Sequence, residues 1–204
     1  MFKRLIFITL TMVFALAMQA QSTLRNAWLS QPDSLFPYLD KDKRAEMLGF
    51  FDMDINDKVK NSLNEGSKIN ALTDDYLDAA MNESSRLEMK LFVNQTGDTT
   101  LCVVKTLNGL MKESQIFMTT PDWTCLRRIN TPQDLTSFVP DTIPPDTLLK
   151  LQELVTPLVV ETRLSANDDD VVQQISVPIL TKEEMAWTNR FLLKRKFKLV
   201  SLIR

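Results

Sequence analysis

Apolar residues between positions 31 and 64 recur at spacings of three and four, which is the period of a helix with one buried face. Pro37 and the acidic residues around Asp40 interrupt this pattern. Pro32, followed by two small polar residues, is typical of a helix start. The pattern therefore predicts a short helix near Pro32 and a second, longer helix after Asp40.

The middle of the chain changes to an alternation of apolar and polar residues, which is the period of a strand. Gln95–Asp98 carries the turn residues of a hairpin and separates two of these runs. Residues 73–78 are predicted as a turn or a helical cap. The predicted strands cover residues 68–72, 86–94, 99–107, 114–119 and 123–129.

Four of the nine prolines fall in residues 130–145, where periodic apolar residues are few. We interpret this stretch as a linker or crossover. The leucine-rich residues 146–155 that follow predict a helix, with Asp146 or Thr147 as its cap.

The C-terminal part predicts a second hairpin, from strands at residues 158–164 and 171–179. Thr181 and Glu184 have the spacing of a capping box, which predicts a helix through about Leu193. Residues 196–203 alternate again and predict a closing strand.

One order of elements, a helix, a hairpin and further strands or helices, occurs in residues 31–130 and again in residues 146–204. The proline-rich crossover 131–145 joins these halves. The sequence therefore predicts a single α+β domain over residues 21–204, with antiparallel sheets and helices packed on one face. The halves share a pattern with almost no residue identity, so an internal duplication is a hypothesis.

The first twenty residues have the anatomy of a secretory signal peptide. Lys3 and Arg4 precede an apolar run, and small residues follow it. The run is too short to favour a permanent membrane span, although a retained anchor helix is the alternative. We expect cleavage after Ala20, or else after Ala17, and a mature chain that is secreted or periplasmic and has no integral membrane segment.

The composition excludes several kinds of active site. The chain has no His, so imidazole-dependent triads, His-ligated zinc and haem held by a proximal His are ruled out. With four Gly, neither GxGxxG nor GxxxxGK[ST] occurs. We therefore predict no catalytic residue, no cofactor and no cofactor-binding residue.

Charge also limits the partners. Removal of residues 1–20 takes away two basic residues and no acidic residue, so the formal charge changes from −2 to −4. A mildly acidic chain of mixed signs has no general attraction to nucleic acid, and no nucleic-acid partner is expected. Lys194–Lys198 forms a local basic run, which indicates either a patch for an anionic surface or the solvated face of an ordinary element.

Two acidic clusters in the sequence contain residue types that can bind a metal ion. Asp52, Asp54, Asn56 and Asp57 resemble the opening of a calcium-binding EF-hand loop, but the required glycine and the closing glutamate are missing. Residues 168–170 are three aspartates between two predicted strands, which is typical of a turn. No metal site is predicted from either cluster.

Cys102 and Cys125 are expected to reach an oxidising compartment, where an even count often indicates a disulfide. Both lie in predicted strands, so a cross-strand disulfide is one interpretation. Two separate buried thiols are the other.

Four copies of a three-residue pattern begin with Asp and continue with Ser or Thr. The pattern resembles the acceptor of the general O-glycosylation system of Bacteroidetes, and each copy is also typical of a helix start or turn. The resemblance implies modification at one or more of Ser34, Thr99, Thr142 and Thr147.

Several features together resemble a family of secreted Bacteroidales proteins of unknown function. They are the signal ending at Ala20, the hairpin after Asn82, the strand at residues 115–118, the Asp122-Trp123 pair and the closing basic strand. The helices and hairpins in two halves also resemble the tandem arrangement of beta-lactamase-inhibitor-protein-like domains. That resemblance implies a binding or scaffold role and no particular functional residue.

Two hypotheses for function follow. The first is a secreted, non-enzymatic protein that binds another protein or a cell-envelope component through its sheet or hairpin loops. The alternative is a hydrolase that acts on a glycan or peptide through carboxylates alone. Two carboxylates across a cleft, one with a perturbed pKa, would favour the hydrolase.

Overall fold

The computed structural model describes residues 23–130 and 134–203. The predicted signal peptide and its cleavage sites lie outside the described residues, as do positions 131–133 of the predicted crossover. Among the described residues, no helix is both long enough and apolar enough to cross a membrane.

Four α-helices are present in the described chain. Residues 23–30 are helical (α1), and the other helices are α2 (Lys41–Asp52), α3 (Pro145–Leu154) and α4 (Lys182–Thr188). Two 3₁₀ helices cover Leu135–Phe138 and Leu199–Ile203.

The strands form two antiparallel sheets. Seven consecutive strands make the large sheet in the order β1 to β7, and the small sheet has the order β10-β9-β8. The strands of the large sheet are β1 (Val59–Lys60), β2 (Gly66–Leu72), β3 (Tyr76–Asn82), β4 (Ser85–Val93), β5 (Thr99–Asn108), β6 (Lys112–Thr119) and β7 (Arg127–Ile129). Those of the small sheet are β8 (Val160–Leu164), β9 (Asp170–Ile175) and β10 (Arg195–Lys198).

The large sheet is covered on both faces. On one face, Leu77, Leu87 and Leu101 belong to an apolar core that they share with α1 and α2. On the other face, Cys102 and Ile116 belong to a second core, which the small sheet completes. Alternate residues of strands β3 to β6 thus enter different cores, as the two-residue period of a strand requires.

The small sheet buries one face against two neighbours. Leu164 and Val171 join the second core of the large sheet. Val160 and Ile175, at the other end of the same strands, pack with the 3₁₀ helix Leu135–Phe138 and with α3. The α+β class with antiparallel sheets is therefore confirmed.

Several predicted elements are also confirmed. The hairpin around residues 95–98 joins β4 to β5, and Gly97 at its turn has a φ of 87°. Thr181 and Glu184 form both hydrogen bonds of the capping box that begins α4. The predicted helix at residues 146–155 is α3, but Pro144 is its N-cap and makes no side-chain capping bond, so the prediction of Asp146 or Thr147 as the cap is wrong.

Other boundaries differ from the predictions. The helix near Pro32 is replaced by turns, and only α2 of the predicted pair forms. Residues 73–78, predicted as a turn or cap, include the start of strand β3, where Ala79 and Ala80 weaken the sequence signal of a strand.

In the C-terminal half, the last α-helix ends at Thr188, short of Leu193, and the closing strand ends at Lys198. The predicted linker supplies core residues, because Leu135, Phe138 and Val139 are buried.

Candidate functional site

The C-terminal end of α2 forms one side of a groove on the surface. Two backbone hydrogen bonds close the end of the helix. The Asp54 N–H donates to the Phe51 C=O (3.1 Å), and the Ile55 N–H donates to the Phe50 C=O (2.8 Å). Asp54 has a φ of 53°, so it takes the left-handed position that closes this type of helix end. This ending turns the following residues, 54–58, out from the helix and leaves them exposed.

The outer edge of β2 forms the other side. Strand β1 pairs with β2 only through Val59↔Ser67 and Lys60↔Gly66. From Lys68 to Leu72, no strand of the described chain lies beside this edge. The pairing of β2 with β3 shifts register between Ile69 and Ala71, so the edge is bulged at this point.

The groove between these two sides has a volume of about 430 Å³. This lies in the range of sites that hold small molecules or short peptide segments. Its walls combine apolar side chains with polar ones. They are Met47, Phe50, Phe51, Ile55, Val59 and Ile69 on the apolar side, and Asp54, Asn56, Asp57, Ser67, Lys68 and Asn70 on the polar side.

Two aspartates lie on the exposed lip of the groove, which is formed by residues 54–58, and have no ionic partner among the described residues. No Lys or Arg in the described chain forms an ion pair with Asp54 or Asp57. The Lys68 ammonium, which also lines the groove, donates to the side-chain oxygen of Asn56. By contrast, Asp52, at the end of α2, is held by both guanidinium nitrogens of Arg25 at 2.8 and 2.7 Å.

A second cluster of ionisable groups lies between the sheets. Glu88 on β4 is 1% exposed and accepts a hydrogen bond from the Tyr76 hydroxyl at 2.9 Å. Arg86 forms ion pairs with Glu88 at 3.3 Å and with Asp78 at 2.6 Å. From the small sheet, Arg163 Nε lies 3.6 Å from Glu88 Oε2.

Burial dominates the acidity of Glu88. It raises the pKa of this carboxyl to about 7, and Asp78 adds to the shift. Arg86, the Tyr76 hydroxyl and the Leu164 N–H act in the opposite direction without cancelling it. Glu88 is thus a carboxyl whose neutral form is favoured by its surroundings.

This pair of carboxyls bears on the predicted hydrolase. Glu88 has the perturbed pKa that the hypothesis required, and Asp78 is bridged to it by Arg86. However, neither residue lines the groove beside β2 or a second, smaller groove between Phe92 and Lys198. A substrate would need access to a side chain that the small sheet covers, so the geometry gives this pair no support as a catalytic site.

The structure divides the first of the two acidic clusters, residues 52–57, between two surroundings. Asp54, Asn56 and Asp57 line the groove beside β2, whereas Asp52 is turned to Arg25. No group of three or more Cys, Asp and Glu in the described residues could hold a metal ion.

The three aspartates at 168–170 lie at the turn between β8 and β9, as their pattern indicated. Asp170 accepts from Lys196 at 2.7 Å and Lys198 at 2.6 Å, and these bonds lower its pKa to about 2. The basic run of the sequence is therefore partly neutralised within the fold, which reduces its charge toward an anionic surface.

Both cysteines are free thiols. Cys102 is buried in the core between the sheets, where desolvation raises the pKa of its thiol, whereas Cys125 is exposed. The structure thus has no disulfide between them. The alternative of two separate thiols agrees with this, except that Cys125 is not buried.

The four predicted glycosylation positions are reachable to different degrees. Ser34, Thr99 and Thr142 are exposed, and Thr147 is half-buried in the first turn of α3. Their modification stays a prediction.

Sequence periodicity does not reveal the groove. It predicts Phe50 and Phe51 in a helix and Lys68 in a strand, and it does not show that the two elements lie side by side. One feature of the sequence bears on the lip. The helical pattern continues past Asp54, and no glycine is present there to end the helix. A left-handed aspartate ends the helix instead and creates the lip.

Among solved structures, this chain is similar in fold to one described as "Structure of a domain of an uncharacterized protein from Porphyromonas gingivalis W83". The match has a TM-score of 0.68 at 16% identity and covers 85% of this chain and 92% of that chain. At this identity the likeness shows the fold alone. The comparison with curated proteins gave no match. The family described as "Protein of unknown function (DUF3256)" matches residues 15–199, and the chain therefore belongs to that family.

Proposed function

We propose that this chain is an exported, non-enzymatic protein that binds an extended segment of a partner protein in the groove between α2 and β2. The observation that carries the proposal is the open outer edge of β2 from Lys68 to Leu72, which lies beside the 430 Å³ groove. An edge strand presents unpaired N–H and C=O groups, and a neighbouring pocket can hold a side chain of the added segment.

The local architecture suits this mode of binding. If β1 began earlier, the residues before Val59 would lie opposite Lys68 and Asn70, but the chain enters the sheet only at Val59. The place of a short strand is thus left open, with Phe50, Phe51 and Ile55 beside it. Backbone hydrogen bonds would supply affinity, and the apolar side chains would select a complementary residue.

Export supports the same proposal. Residues 1–20 have the composition of a signal peptide. The proposed mature protein is secreted or periplasmic, and its partner is a protein or envelope component of that compartment. The resemblance to beta-lactamase-inhibitor-protein-like domains also favours binding. The hydrolase alternative requires two carboxylates across a cleft, but Asp54 and Asp57 lie on the same side of the groove and Glu88 does not line it, so this arrangement does not favour that alternative.

A groove-filling variant tests the proposal. A random twelve-residue peptide library displayed on phage would be selected on the chain from residue 21 onward. The affinity of selected peptides would then be measured on Asn56→Trp, whose new ring occupies the groove. Asn167→Trp, in the exposed turn before β9, is the matched control.

We expect Asn56→Trp to weaken the selected peptides at least tenfold and Asn167→Trp to leave them unchanged. The proposal would be rejected if no peptide were selected. It would also be rejected if both variants bound the peptides as well as the unmodified chain.

A further inference from the structure

We infer that the segment bound in this groove carries a basic residue two positions from an apolar one. The inference rests on the proposed function and names the chemistry of the partner. It follows from the two aspartates on the exposed lip and from where the cations around them are directed.

The carboxylates of Asp54 and Asp57 are held on the lip by the backbone. Asp54 occupies the left-handed position after α2, fixed by its N–H bond to Phe51 C=O. Asp57 is oriented by the N–H of Lys58, which donates to its Oδ1 at 2.8 Å. The Asp57 carboxylate is thus oriented before binding, and the backbone that carries Asp54 is fixed, which lowers the entropic cost of binding.

Within the described residues, no cation forms an ion pair with either aspartate, and this includes Lys58, which follows Asp57 in the chain. Arg25 is fully engaged by Asp52, and Lys43 pairs with Glu46 at 2.9 Å. Lys68 donates to a neutral amide. Of the charged groups lining the groove, two are acidic and one is basic, so the lining is negative overall. A cation from outside the chain would complete the pairs that the fold leaves open.

The apolar wall lies next to this acidic lip. Phe50 and Phe51 are half-buried, and Ile55 is 39% exposed, so a partner side chain would remove apolar surface from water here. In an extended segment, residues two apart project to the same side and are separated by about 7 Å. One such residue can pack on the apolar wall of the groove while the second is directed toward the lip that carries Asp54 and Asp57.

A second copy of the chain fits the groove less well. Its β2 would bring Lys68 as the basic group, but the bulge between Ile69 and Ala71 interrupts the regular edge that two copies would have to pair. Two copies would bring two bulged edges and two Lys68 side chains together, whereas a regular segment of another protein meets the bulge on the β2 side alone. We therefore favour a different protein, with a regular extended segment, as the occupant.

The test compares three synthetic peptides of one length. The parent is the tightest peptide selected on the unmodified chain, with its central apolar residue kept and Lys, Gln or Glu placed two positions later. Binding is measured by fluorescence anisotropy at low salt, for the unmodified chain and for Asp54→Asn/Asp57→Asn.

We expect the Lys peptide to bind at least fivefold more tightly than the Gln peptide, and the Glu peptide to bind least. The preference should disappear in Asp54→Asn/Asp57→Asn, and it should shrink at 0.5 M salt because exposed charges are screened. Asp168→Asn/Asp169→Asn, in the turn before β9, is the matched control and should keep the preference.

The outcomes separate the two proposals. Equal binding of the three peptides, still lost in Asn56→Trp, would overturn the basic partner and leave the peptide groove standing. Failure of every peptide to bind would overturn both. A dimer in light scattering that Asn56→Trp dissolves would show a second copy as the occupant and would also overturn the basic partner.

Discussion

The region between the two sheets and the groove beside β2 both contain carboxylates next to apolar side chains. The two regions differ in whether those carboxylates are buried and paired with a cation. Between the sheets, Glu88 and Asp78 share Arg86, and Glu88 is closed off from solvent. In the groove, Asp54 and Asp57 are exposed and have no cation from the described chain.

The difference indicates what each set of charges contributes. Buried charges must be paired within the fold, since an unpaired one costs several kcal/mol. Exposed charges cost little when left unpaired, so a fold can keep them for a partner. The predictions below test this contrast, first between the sheets and then in the groove.

Arg86→Ala should have the largest effect. It leaves Asp78 and Glu88 without the cation they share, and breaking a buried ionic network in this way costs about 3–5 kcal/mol. The free energy of unfolding in urea at pH 8 measures it. Arg127→Ala, at an exposed arginine on β7, is the control and should change it by less than about 0.5 kcal/mol. Equal losses in the two variants would show that the network is not needed for stability.

Glu88 should make stability depend on pH. Its folded-state pKa of about 7 lies above the ordinary 4.5, so between these values the folded chain holds a proton that the unfolded chain has released. The contribution is therefore greatest below about pH 4.5 and is lost as pH rises through 7. At about 1.4 kcal/mol per pKa unit, the loss is about 3 kcal/mol.

Glu88→Gln cannot titrate and should remove this part of the pH dependence. Urea unfolding of both proteins between pH 5 and pH 8 is the measurement. The account of Glu88 is wrong if the two profiles run parallel.

Asp54→Gly should separate stability from binding in the groove. Glycine reaches the left-handed φ of 53° without the steric cost of a β-carbon, so the variant should be more stable by about 1 kcal/mol. It also removes a carboxylate from the lip, and the Lys peptide should bind more weakly to it. Thermal unfolding and anisotropy measure the two effects. A variant that is destabilised would contradict the assigned helix end.

Lys68→Ala should have the smallest effect on stability. Among the described residues, its ammonium donates a hydrogen bond only to the side-chain oxygen of the exposed Asn56. The free energy of unfolding should therefore change by less than about 0.5 kcal/mol. Because the variant makes the groove more acidic, the Lys peptide should bind no less tightly to it. A loss of stability comparable to that of Arg86→Ala would remove the contrast between the two regions.

The parts of the fold that the sequence predicted well are local. The hairpin at residues 95–98 and the capping box of Thr181 and Glu184 depend on residues a few positions apart, so their patterns are visible in the chain. Strand β3 was missed because Ala79 and Ala80 have little strand preference, and only the pairing with β2 and β4 holds them extended.

The two regions compared here depend on contacts between distant residues, and periodicity does not show them. Glu88 alternates with apolar neighbours like any exposed strand residue, yet it is buried because β8 lies across β4. The groove forms because α2 ends at Asp52 and because β1 begins to pair with β2 only at Val59. The acidic residues 52–57 stand out in the sequence because they resemble the opening of a calcium-binding loop, and this resemblance gives no indication of a groove.

Amide hydrogen exchange of the chain with and without the selected Lys peptide tests the central claim most directly. If an extended segment adds to the open edge of β2, exchange within residues 68–72 should slow on binding, while residues 160–164 of β8 should not change. Binding that leaves residues 68–72 unprotected, or protects another surface in their place, would contradict the account.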